Sequence, residues 1–90
     1  MDETLRTWGR NIQLRREALN ADGAPRDVKA SEPSMTQAQL GEMLEPPVHQ
    51  TTIARWEAGR MEPRRHHKAE LSRVLMTDVA MLFPLTRNAA

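Results

Sequence analysis

Apolar residues recur along the chain at helical spacing, and nowhere do they alternate as in a half-buried strand. Leu5, Trp8, Ile12 and Leu19 mark one stripe and predict an amphipathic helix over about Leu5 to Leu19, with Asp2 or Thr4 able to cap it. Leu40, Met43 and Leu44 mark a second, short helix. It opens at Thr36, whose hydroxyl pairs with Gln39 in a capping box. Pro46 and Pro47 lack amide donors and disfavour helix before them, which ends this element near Leu44 or Glu45. Ile53 and Trp56 form the buried edge of a third helix, from His49 or Gln50 to Ala58, and Gly59 supplies a left-handed stop. Pro63 opens a fourth helix that runs to Leu75 and buries Leu71, Val74 and Leu75. Thr77 or Asp78 caps a fifth, Val79 to Phe83, ended by Pro84. The expected fold is all-α, five helices in one domain over residues 1–90, with a tail at 86–90.

Three places depart from this regularity. Gly9 weakens the first helix by about 1 kcal/mol relative to alanine, or else lets another helix approach closely. Arg16 falls on the apolar stripe, so it either snorkels from the core edge to water or finds a buried partner, for which Glu57 is best placed. Residues 20–34, NADGAPRDVKASEPS, contain Gly23, Pro25, Pro33 and one large apolar side chain, Val28. They read as a loop insertion longer than compact domains need.

Composition narrows the chemistry. The 90 residues include no cysteine, which removes disulfides, thiolate nucleophiles and cysteine-based zinc sites together. No apolar run approaches the roughly 20 residues of a membrane span, and the N-terminus lacks a signal peptide's apolar core. A soluble cytoplasmic protein is expected. The net charge of +1 says little, but its distribution says more. Residues 1–48 carry six basic against eight acidic side chains, whereas residues 49–74 carry six basic against three acidic. Positive charge thus collects at and just after the third helix, as a phosphate-facing surface requires and as a merely solvated face would also allow.

Thr36 to Gly59, TQAQLGEMLEPPVHQTTIARWEAG, therefore reads as two short helices joined by a proline-containing turn, the second polar on its outer face. That is a helix-turn-helix, which places one helix in the DNA major groove. Thr36-Gln37, Leu40, Leu44, Val48, Ile53, Arg55-Trp56-Glu57 and Gly59 resemble the pattern of phage Cro proteins, phage repressors and XRE-type bacterial regulators. The resemblance extends to Ile12 and Arg16 upstream and to Pro63, Leu71 and Leu82-Phe83 downstream. It implies a compact, lambda-repressor-like DNA-binding domain with five helices. It also implies a sequence-specific regulator of the phage or prophage repressor or Cro-like kind, acting on an operator in double-stranded DNA. Two departures stand out: the long 20–34 insertion, and Glu45-Pro46-Pro47 where the family usually has one glycine before the valine. This longer turn bears on the angle at which the recognition helix is presented.

A helical wheel centred on Ile53 turns Trp56 and Glu57 inward and Thr51, Arg55 and Ala58 outward, with His49 and Gln50 at the end that enters the groove first. Gln50 suits adenine N6 and N7, and Arg55 suits guanine O6 and N7, each pair contributing ~1–3 kcal/mol of discrimination. Thr51 and Thr52 suit a thymine methyl or a phosphate. The resemblance likewise implies base contacts at Gln50, Thr51 and Arg55. From it Gln37 is expected to hold a phosphate and brace the recognition helix, and Arg60 and Arg64 to grip the backbone. Arg16 and Glu57 match the family positions that form an ion pair between the first and third helices.

Readings from other classes are weaker. His66, His67 and Glu70 could begin a metal site, but no convincing third ligand, glycine-rich loop or nucleophile–base set accompanies them, so no enzyme activity, cofactor, metal or small-molecule ligand is expected. An antitoxin or accessory module of the same fold would act through a protein partner, with Met61, Met76, Met81, Leu82, Phe83 and Leu85 as an apolar patch. The 20–34 loop is either a tolerated insertion or an arm carrying Arg26 and Lys29 to a DNA backbone or a partner. A homodimer is expected, in solution or on DNA only, with Val79 to Leu85 as its interface.

Overall fold

The computed structural model describes residues 3–26 and 33–85 and contains five helices: α1 (Glu3–Glu17), α2 (Gln37–Met43), α3 (Gln50–Glu57), α4 (Arg65–Val74) and α5 (Val79–Leu82). Asp2, Val28, Lys29 and the tail at 86–90 lie outside the described residues. No strand occurs among the described residues; the nearest to one are isolated bridges pairing Leu19 with Pro25 and Asn20 with Ser34.

Local chemistry accounts for most helix ends. Thr36 accepts from the Gln39 amide (3.1 Å) while the Gln39 side chain accepts from the Thr36 amide (2.8 Å), closing the capping box that opens α2. α2 stops at Met43, ahead of the prolines, and its cap Leu44 is extended. Gly59 adopts φ +73°, the left-handed conformation that ends α3 at little steric cost. One end differs from expectation. Pro63 is buried just before α4 rather than in its first turn, and Arg64 occupies the N-cap without a side-chain hydrogen bond. Asp78 is the N-cap of α5 as expected, but its side chain makes no capping hydrogen bond.

The core is built from every helix. Ile12, Leu40, Ile53, Leu71 and Leu75 are fully buried, and Trp56 nearly so. Met35, just before α2, is also fully buried, and helical periodicity gave no sign of it. α1 lies against α3 at Gly9, where a side-chain carbon would collide with the carbonyl oxygens of Trp56 and Glu57. The other end of the core is closed by α5. Trp8 Nε1 donates to the Pro84 carbonyl (2.8 Å), Asn11 donates to the Leu82 carbonyl (2.9 Å), and the Phe83 ring meets Trp8 edge-on at 5.5 Å. Leu82 and Phe83 are therefore core residues, which removes them from the expected partner patch; its Met61, Met76, Met81 and Leu85 are exposed, as is Val79. Lys68 of α4 lies 4.2 Å from the Trp8 ring centroid in a cation–π contact and pairs with Glu62 at 3.0 Å.

The beginning of the 20–34 segment is tied to the fold. Asn20 and Ala24 pair through their backbones (2.8 Å), the Arg26 amide donates to Ala18 (2.9 Å), and the Met35 amide donates to Leu19 (2.8 Å). These bonds return the chain to the end of α1 immediately before α2. Arg15 caps the far end of α4, donating to the carbonyls of Leu75 (2.8 Å) and Met76 (3.1 Å).

Candidate nucleic-acid interface

The arrangement around α3 begins with a buried polar network. Arg16 on α1 donates to Glu57 through Nε (2.7 Å) and Nη2 (3.0 Å), and through Nη1 to the Met35 carbonyl (2.7 Å). The two charged side chains are only 10 % and 6 % exposed. Arg16 thus does not snorkel outward: its guanidinium ends on a carboxylate and a backbone oxygen. Gln37 on α2 adds a third donor to Glu57, its amide nitrogen lying 2.9 Å from Oε1. One carboxylate on α3 therefore ties α1 to α2, and Arg16 adds the segment that precedes α2. Because a carboxylate only accepts, the nitrogen of the Gln37 amide must face it.

With Ile53 and Trp56 buried on the same side, α3 has a single way to face outward. Gln50, Thr51, Arg55 and Ala58 are exposed, Thr52 and Ala54 are half-buried, and His49 is exposed at the leading end. His49 is the N-cap. Its Nδ1 accepts from the Thr51 amide (3.1 Å) and lies 2.8 Å from the Thr51 hydroxyl. A ring nitrogen that accepts an amide hydrogen carries none itself, so the neutral imidazole holds its proton on Nε2 as a donor. His49 thus caps α3 in place of the usual Ser, Thr, Asp or Asn, a role that the helical pattern does not signal.

Thr51, Arg55, Ala58 and Arg60 line one shallow groove along the outer face of α3. Ala58 also lines a second groove, with Arg6, Arg10 and Gln13 from α1. The two grooves are neighbours across Ala58, so Arg6 and Arg10, both exposed, adjoin the exit of α3. Sequence reasoning passed over these arginines. Their place off the apolar stripe of α1 was legible, but their neighbourhood depends on the α1–α3 crossing. Arg64 is exposed and lines a separate cleft with Arg65 and Val79, to which α3 contributes no residue.

The turn between α2 and α3 is held from α4. Glu70 accepts from the Glu45 amide (2.8 Å), His66 Nε2 meets the Glu45 carbonyl (2.7 Å), and Arg73 donates to the Met43 carbonyl (3.2 Å). Arg73 also makes two hydrogen bonds to Glu70, at 2.9 and 3.2 Å, which hold the Glu70 carboxyl below its usual range. His66 and Glu70, from which a metal reading starts, are thus engaged with backbone and arginine. No group of three or more metal-ligating side chains occurs among the described residues.

His67 packs its ring on Trp56 at 4.9 Å between centroids, and its Nδ1 is buried with no hydrogen-bond partner among the described residues. Burial, reinforced by the charges of His66 and Arg64, holds its pKa below the ordinary 6.5. The folded protein therefore binds this proton more weakly than the unfolded chain does. Stability from this group is present above the unfolded value and falls as pH drops through about 6.5 towards the folded one. Thermal melts at pH 5.5 are expected to fall below those at pH 7.5, with a smaller difference in His67→Phe. An unchanged difference in that variant would move the effect to another group.

Residues 32–80, more than half of the chain, match a family model described as helix-turn-helix. No curated protein and no solved structure matches the chain. No helix is long and apolar enough to cross a membrane among the described residues.

Proposed function

The chain belongs to the XRE-type, Cro- and repressor-like helix-turn-helix family of DNA-binding regulators, and from that premise we propose that it occupies a specific operator in duplex DNA as a phage or prophage repressor or Cro-like protein. The observation that carries this reading is the outer face of α3. Gln50, Thr51 and Arg55 are exposed together on a helix whose inner side is fixed by Ile53, Trp56 and the Glu57 network. A rigid support with adaptable donors and acceptors on its outer face is what direct readout of base edges requires.

Gln50 and Arg55 take the bidentate contacts to adenine and guanine, and the Thr51 methyl meets a thymine. Thr52 contacts a phosphate or a thymine methyl. His49 donates through Nε2 to a base acceptor at the leading end, its Nδ1 being used in the cap. Gln37, having given one amide hydrogen to Glu57, directs the second at a phosphate. Arg60 and Arg64 grip the backbone, joined by Arg6 and Arg10 beside the exit of α3. Such contacts set affinity and its salt dependence, not sequence preference. Two copies pair through the exposed Val79, Met81 and Leu85.

Selection of bound sequences from random duplex DNA tests the reading, with the Gln50→Ala/Arg55→Ala double variant alongside. The expected result is an enriched inverted repeat with half-sites about one helical turn apart, absent for the double variant. A single unrepeated site would keep the readout and remove the dimer. No enrichment would reject operator binding in favour of a module that acts through a protein partner, for which the exposed Met76, Val79, Met81 and Leu85 supply an apolar surface.

A further inference from the structure

The turn between α2 and α3 makes few backbone hydrogen bonds of its own. Pro46 and Pro47 offer no amide hydrogen, and the turn's own bonds back to α2 are those of the Leu44 (3.4 Å) and Val48 (3.0 Å) amides, which share the Gly41 carbonyl. The remaining backbone groups at its start are held from outside. The Glu45 amide goes to Glu70, the Glu45 carbonyl to His66 and the Met43 carbonyl to Arg73, all between 2.7 and 3.2 Å. His66, Glu70 and Arg73 recur at helical spacing, so one face of α4 meets the turn. Arg73 is braced in turn by two bonds to Glu70. From Glu45 only Pro46, Pro47 and Val48 intervene before His49, the cap of α3, and two of these three residues are stiff.

We propose that Glu70, seated by Arg73 and joined by His66, is a positioning residue for DNA readout: it fixes the backbone of the α2–α3 turn and thereby the place of His49, Gln50 and Thr51 at the leading end of α3. The inference rests on the operator-binding reading and deepens it. The body of α3 is set by Ile53, Trp56 and Glu57; its leading end, beyond those anchors, takes its place from the turn. In this chain the turn is longer than a single glycine, and α4 supplies the hold that a tight turn would supply through its own backbone. Losing the hold alters how well Gln50 meets its base without weakening the phosphate contacts, which come from Gln37, Arg6, Arg10, Arg60 and Arg64.

The test compares binding of the full chain to a duplex carrying its selected site and to a scrambled duplex of equal length. Glu70→Ala is expected to cut the ratio of the two affinities about tenfold or more, the scale of one lost base contact, while binding to the scrambled duplex stays within about twofold. Glu70→Gln retains an acceptor for the Glu45 amide and is expected to keep most of the ratio, a rescue that loss of a surface charge would not produce. Arg73→Ala, on the exposed side of α4, serves as the second variant should Glu70→Ala melt near the assay temperature, and the same fall in ratio is expected. A folded Glu70→Ala or Arg73→Ala protein with an unchanged ratio would overturn the proposal, as would equal weakening on both duplexes. Wild-type protein that does not distinguish the duplexes would instead sink the operator-binding reading, and the positioning role with it.

Discussion

Gly9→Ala is expected to lower stability by about 1–3 kcal/mol, the usual cost of overpacking. Helix propensity alone gives the opposite sign, because alanine within a helix is worth about 1 kcal/mol more than glycine. The structure reverses it. A Cβ at residue 9 meets the carbonyl oxygens of Trp56 and Glu57, which are backbone atoms of α3 and cannot rotate away as a flexible side chain would. α1 and α3 would have to part, loosening the contact that seats the recognition helix. Urea or thermal denaturation of the single variant checks this. A domain of this size loses roughly 4–8 °C of melting temperature per kcal/mol, so the sign will be plain. A stabilised variant would show that the two helices separate at negligible cost.

Glu57→Ala is expected to be more damaging still, by about 3–5 kcal/mol, the range for breaking a buried ion pair by removing one partner. Arg16 would keep the Met35 carbonyl and a long, half-exposed ion pair to Glu17 (3.9 Å) for its guanidinium, and Gln37 would lose its Glu57 acceptor. Against a total stability on the order of 5–10 kcal/mol for a small domain, that loss leaves much of the protein unfolded on mild warming. Glu57 faces the core side of α3, so DNA binding is expected to fail as a consequence of unfolding rather than through a lost contact. Denaturation and DNA binding measured on the same sample separate the two. A fully stable Glu57→Ala protein unable to bind would move Glu57 from the support of the helix to the interface itself.

These two cases show where sequence was informative. Both Gly9 and the Arg16–Glu57 pair drew attention on the helical pattern alone, Gly9 as a weak point or a close approach and Arg16 as a charge on an apolar stripe. For Arg16 the family resemblance already favoured the pair with Glu57, whereas for Gly9 the α1–α3 crossing chose between the alternatives. The outward face of α3 was legible because it depends on one helix and one buried edge, Ile53 and Trp56. Arg6 and Arg10 were missed for the converse reason: nothing in the α1 sequence says which helix end lies beside it.

By itself the sequence determined what depends on neighbours within a turn or so: five helices, the capping box at Thr36 and Gln39, the stop before Pro46, and the left-handed exit at Gly59. Such signals act through the backbone's own hydrogen bonds and preferred angles, and need no tertiary partner. The tertiary structure alone decided contacts made across long stretches of chain. It buried Leu82 and Phe83 under Trp8, drew Lys68 over an aromatic ring, and filled the core at Met35. It also turned His66, Glu70 and Arg73, which a local reading leaves on a polar helix face or in a failed metal site, onto the turn that precedes the recognition helix. Packing chose these partners because each burial or hydrogen bond depends on where two distant segments meet, and spacing along one helix carries no record of that meeting.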